Sequence, residues 1–186
     1  MLYLQNKQYC IMRNVINESN IRLELIRNDI KRDLLNYLKE FNYLEISKEI
    51  QIIDIKIIDD LRKVYTGPGF YIILLDEQFA DNNCNFSFDD YTAIYRGHSY
   101  SVRDRLKSHL FNSEYNNSDF KNKVKYTVCL KFEEGIQGIN LNEEPYCNYS
   151  WKVIIHKMKK SNKLIREQIE LAFDEIYGRP FKSKER

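Results

Sequence analysis

The stretch "YTGPG" at residues 65–69 constrains this chain more than any other. Pro68 has no amide hydrogen to give to a helix or a ladder, and Gly67 and Gly69 on either side disfavour regular structure, so neither element runs through it. The chain is divided there into two halves with different periodicities. Upstream, "IRLELIRNDIKRDLLNYLKEF" places Ile26, Ile30, Leu34, Leu38 and Phe41 at spacings of three and four, which predicts an amphipathic helix over 21–41 with Asn28 as its weakest point. The following "EISKEIQIIDIKIIDDLRKVY" fits two periods. Ile46, Ile50, Ile53, Ile57 and Leu61 suit a helix, while Ile50, Ile52, Ile55 and Ile57 suit a strand, and we read it as helix. Residues 1–66 are therefore expected to be a helical amino-terminal extension.

Downstream the pattern turns to β. "GFYIILLDE" (69–77) and "YTAIYRG" (91–97) read as two strands of a hairpin, joined by the turn-rich "DNNCNFSFDD". A helix follows over about 101–112. "VKYTVCLKF" (124–132) alternates cleanly and predicts a third strand, and "SWKVIIHKM" (150–158) a fourth. A last helix is expected over 162–177, stopped by Gly178 and Pro180. The order β-β-α-β-β-α indicates an α+β domain over 67–186: a small sheet with helices on one or both faces.

At 186 residues with 43% hydrophobic content the chain suffices for one domain with an appended arm. Its formal charge of +2 gives too weak an overall field to argue for nucleic-acid binding. Local basic concentrations occur at Lys121, Lys123 and Lys125, and at Lys157, Lys159, Lys160, Lys163 and Arg166. Such runs are usually solvated faces. The four cysteines form no CxxC pair, which argues against a zinc ribbon or a dense disulfide framework, and no apolar run is long enough for a membrane span. These features read as a cytoplasmic protein with reduced thiols.

On the helix after Gly97, Val102, Leu106 and Leu110 form an apolar stripe. Arg105 and His109 share one edge of it, with Arg103 beyond the other. On the last helix the stripe is Ile165, Ile169, Ala172, Phe173 and Ile176, and Glu170 borders it. A carboxylate at a stripe edge is commonly an ion-pair partner. His156, in a strand, reads as structural.

Taken in order, these segments resemble the GIY-YIG nuclease family over about residues 67–183. Gly69, Phe70 and Tyr71 stand where the family has its first triplet, and Tyr95, Arg96 and Gly97 where it has its second. Arg105 follows Gly97 by eight residues and His109 lies four further on, as in the family, and Glu170 falls at the place of its metal-binding glutamate. Two departures stand out: Arg96 replaces the isoleucine of the second triplet, and Ser183 stands nearest to where the family often has an asparagine.

The resemblance implies a DNA endonuclease that hydrolyses phosphodiester bonds with one Mg²⁺, or Mn²⁺ in its place, held by Glu170. It makes Tyr71 the base, with Tyr95 and His109 as hydrogen-bonding helpers and Arg105 as the phosphate clamp. Arg105 suits that role because its planar fork can grip two phosphate oxygens at once. His98, Arg96 and Lys107 are the expected substrate contacts. A restriction, defence or mobile-element role and a homodimer are expectations of the same kind. The competing readings are a non-catalytic module that binds nucleic acid or protein on the nuclease fold, and an RNA-cleaving enzyme.

Overall fold

The computed structural model describes residues 2–45, 47–113, 129–132 and 138–183. Its centre is β2 (Gly69–Leu75), whose seven residues are all buried. A run of Phe, Tyr, Ile and Leu with no polar alternation suits a strand covered on both faces. Antiparallel neighbours flank it: β4 (Tyr91–Ser99) on one side and β5 (Trp151–Lys157) on the other. Beyond β5 lies β1 (Ile50–Ile55), and beyond β4 the two-residue β3 (Ser87–Phe88), giving the order β1-β5-β2-β4-β3. The described residues thus form an α+β fold on a five-stranded antiparallel sheet.

Alternate residues of β2 serve two cores. Tyr71, Ile73 and Leu75 face α2 (Val102–Leu110), packing with Val102, Leu106 and Leu110. Phe70, Ile72 and Leu74 face the opposite layer, formed by α3 (Lys163–Tyr177) and the end of α1 (Leu2–Glu40) through Ile169, Phe173 and Leu38. Each fully buried side chain of this size contributes roughly 1.5–3 kcal/mol, so β2 is the energetic spine of the sheet. Helix α3 begins where the Asn162 side chain accepts from the Ile165 amide at 3.0 Å, and ends at Gly178 with a positive φ of 77°.

Two sequence expectations need correction, and a third falls mostly outside the described residues. Residues 50–55 are a strand, followed by a 3-10 turn over Ile58–Lys63, where a helix was expected. The extension before residue 67 is therefore not wholly helical, because β1 hydrogen-bonds to β5 as part of the same sheet. The first helix starts at Leu2 and runs through Asn28 without a break. The strand expected over 124–132 lies outside the described residues at 124–128, and Cys129–Phe132 belong to no described strand. Among the described residues no helix is long and apolar enough to cross a membrane.

The end of α1 is fastened through His156 of β5. Tyr37 Oη lies 3.0 Å from its Nδ1 and Tyr43 Oη 3.1 Å from its Nε2. Phe41 and Phe70 wall the ring. Burial pushes the imidazole pKa down to about 3, so it is neutral, as expected of a structural histidine.

Candidate active site

Tyr71 stands directly opposite Gly97 on β4. A Cβ at position 97 would come within 2.7 Å of the Tyr71 hydroxyl and 2.9 Å of Tyr95 Cε1, so only glycine there leaves room for the two phenol rings. Gly69 has a different duty: a Cβ would approach the His156 carbonyl to 2.7 Å and Val102 to 3.0 Å, so its absence lets β5 and α2 close around the strand.

Which residues of β4 join Tyr71 is decided by a register shift. Ile73 pairs with Tyr95 but Leu74 pairs with Ala93, so Ile94 is an extra residue on β4. The shift reverses the phase of the strand beyond it. Tyr95 therefore turns toward Tyr71 and α2, and Arg96 toward α3.

On the α2 face four side chains converge. Tyr71 Oη lies 2.9 Å from His109 Nε2, both fully buried. The Tyr71 and Tyr95 rings stack with centroids 6.2 Å apart, and the Tyr95 and His109 centroids are 4.5 Å apart. Arg105, one helical turn before His109, is partly exposed, and its charge acts on the Tyr71 phenol. Burial raises the Tyr71 pKa well above the phenolic range and the neighbouring Tyr95 adds to this, while Arg105 opposes them. Burial, and then the charge of Arg105, hold His109 well below the usual imidazole value. His109 is consequently neutral, and its Nδ1 meets no partner among the described residues. A neutral imidazole against an un-ionised phenol can accept its proton as the phenol takes up another, because a single transfer would leave phenolate and imidazolium together in a dry site.

Glu170 sits on the other layer, 4% exposed, with Arg96 Nη1 at 3.4 Å. Its charge nevertheless reaches both phenols, raising Tyr71 and Tyr95. Arg96 also forks onto Asp174, with Nε to Oδ1 at 2.9 Å, and Arg179 Nε donates to Asp174 at 2.9 Å. A cleft of about 480 Å³ between α1 and α3 reaches Arg96 and Glu170, with Arg27 and Lys31 on its far wall. It opens on the opposite side from the Tyr71 cluster, so Glu170 lies between the two.

Among the described residues, Glu170 is the carboxylate whose charge raises both phenols. No group of three or more acidic, histidine or cysteine side chains able to hold a metal occurs among the described residues. A single carboxylate fits a hard cation that brings water and phosphate oxygens for the rest of its shell. It does not fit a zinc cage.

The structure thus brings Tyr71, Tyr95, Arg105 and His109 together, with Glu170 bordering them. It separates three residues expected as substrate contacts. Arg96 is buried against α3 by its ion pairs. His98 lies inside β4 opposite Phe70 rather than in a turn, and Lys107 is about 160° around α2 from both Arg105 and His109. Arg103 points away, as its position beyond the stripe requires: it donates to the carbonyls of Arg62 and Val64 at 2.7 and 2.8 Å, pinning the 3-10 turn. Ser183 does hold the strand edge, its Oγ accepting from the Arg96 amide at 3.0 Å. Sequence reasoning missed Asp174, although its spacing of four from Glu170 on a helix marks it as a neighbour.

Comparison of the chain with protein-family models, with curated proteins and with solved structures returned no match.

Proposed function

We propose that the protein is a metal-dependent endonuclease of the GIY-YIG type, acting on DNA. The observation that carries this reading is the convergence of Tyr71, Tyr95, Arg105 and His109 from three elements, with Glu170 near enough to bias both phenols. Arg105, the partly exposed cation of the set, would grip the phosphate and stabilise the negative charge that builds up during attack. Because burial keeps the Tyr71 phenol protonated, the phenol serves better as a relay than as a free phenolate. Tyr71 would take a proton from the attacking water as its own passes to Nε2 of neutral His109, 2.9 Å away. Glu170 would hold Mg²⁺ or Mn²⁺, which when bound offsets charge on a phosphate oxygen.

Purified protein incubated with plasmid, linear duplex, single-stranded DNA and RNA tests this. Cleavage is expected with Mg²⁺, absent with EDTA, and severely reduced in Glu170→Gln, whose melting temperature stays near that of the wild type. No cleavage of any of the four under any metal would sink the proposal.

One observation favours a second reading, a non-catalytic nucleic-acid-binding module. The Glu170 charge is already answered by Arg96, inside a balanced chain of Arg179, Asp174, Arg96 and Glu170. Binding of DNA with identical affinity in EDTA and Mg²⁺, and without cleavage, would support it.

A further inference from the structure

The basic run around residue 160 and the exposed Tyr100 have no part in the site above, and they meet. Tyr100 links β4, which carries Tyr95, to α2, which carries Arg105. It is 65% exposed, yet its inner face rests on the guanidinium of Arg166, with Cζ 3.8 Å from the ring centroid. Arg166 is 0% exposed, and its Nη1 donates to the Ser161 carbonyl at 2.6 Å and to Ser161 Oγ at 3.1 Å. Its Nε and Nη2 have no acceptor among the described residues, and no carboxylate there pairs with it. Burying a guanidinium with open donors is costly, so its charge beneath the ring is a built feature. Ser161 closes the turn between β5 and α3, where Lys159 and Lys160 are exposed and pair with no described carboxylate. The loop that presents the ring is braced as well, since Ser99 Oγ donates to the Ser101 carbonyl at 2.9 Å and accepts from its amide at 3.1 Å.

From this arrangement we infer that Tyr100 is a stacking platform for an unpaired nucleobase, and that the turn bearing Lys159 and Lys160 takes the phosphates of the same strand. An aromatic ring held rigid on one face and open on the other gives a base a flat partner at little entropic cost. A positive charge directly beneath the ring, and lysines beside it, suit a polyanion whose bases project from its backbone. A duplex keeps its bases stacked inside and offers the ring nothing comparable. The inference deepens the proposed nuclease function and rests on it for the polynucleotide.

Binding is measured in EDTA, so that nothing is cut, with a single-stranded DNA carrying 2-aminopurine, an RNA of the same sequence, and the matching DNA duplex. Tyr100→Ala is expected to weaken single-strand binding about tenfold and to abolish quenching of the 2-aminopurine, with Tyr100→Phe near the wild type and duplex affinity little changed. Replacing both Lys159 and Lys160 with alanine should lower the salt slope for the single strand by about 1.4, roughly 0.7 per lost phosphate contact. The DNA and RNA arms decide which sugar the platform prefers. Wild-type binding and quenching that survive Tyr100→Ala would overturn the platform alone, as would equal losses for strand and duplex. A wild-type chain that binds none of the three would overturn the nuclease reading with it.

Discussion

Two buried histidines with tyrosine partners lie on opposite sides of this sheet, and they are wired differently. His156 has both ring nitrogens within hydrogen-bonding distance of phenols, Tyr37 and Tyr43, inside an aromatic box, and its pKa is lowered by burial rather than by a neighbouring cation. His109 has one such contact, to Tyr71, with an arginine one turn away, a second stacked phenol, and a carboxylate whose charge is felt through both phenols. Both are neutral because burial disfavours the imidazolium. The first arrangement has every polar atom satisfied and nothing to exchange. The second leaves Nδ1 open among the described residues and aligns groups that can trade a proton beside a cation. Under the proposed function, burial and a phenol partner do not separate a structural histidine from a reactive one; saturation and neighbouring charge do.

The largest effect is expected at the Tyr71 hydroxyl. Tyr71→Phe should lower single-turnover cleavage by about a hundredfold or more, the scale of a lost proton transfer, while DNA affinity holds. Cleavage at the wild-type rate would remove Tyr71 from the relay and leave the two histidines alike. Arg105→Ala should cost on the order of a hundredfold in the same assay at saturating enzyme. The control arginine, Arg103, anchors the carbonyls of Arg62 and Val64, so Arg103→Ala should lose thermal stability and keep its rate per folded molecule.

On the other side, His156→Ala should reduce stability by about 3 kcal/mol in chemical denaturation, through lost burial and two abandoned phenols, with specific activity unchanged. A fall in activity per folded molecule would break the contrast. The pH dependence sharpens it further. The folded pKa of His156, about 3, lies below the unfolded value near 6.5, so protonation favours the unfolded chain. Its stabilisation is full above pH 6.5 and is lost as pH falls toward 3. Between pH 7 and pH 5 the wild type should therefore lose about 2 kcal/mol more than His156→Asn, read from denaturation curves at both values. An equal loss in the two proteins would show that His156 does not titrate as its box requires.

Much of this was legible in the residues. The continuous apolar run of β2, the stripe of α2 and the caps of α3 announced themselves, because each element buries a face that its own periodicity records. The shared edge of Arg105 and His109 followed from the same periodicity. Three features were not legible. Residues 50–55 carry isoleucines that satisfy both periods, and the choice was made by β5, a partner about a hundred residues away in the chain. Before residue 21, α1 exposes Met12 and Ile16, so no apolar stripe marked where the helix begins. The extra residue at Ile94 was invisible, since a bulge changes which face a side chain takes without changing composition, and it alone sends Arg96 to Asp174 and Glu170.

The place of β5 bears on how the chain can be made. β1 and β2 are near one another in sequence but are not neighbours in the sheet; β5, residues 151–157, lies between them. As the chain leaves the ribosome, β2 and β4 can pair early as a local hairpin. The other edge of β2 must wait, apolar and unpaired, until more than four-fifths of the chain has emerged. A strand edge held open for that interval is a template for wrong partners. The hazard falls on synthesis rather than on the finished fold, where β5 seals that edge from end to end.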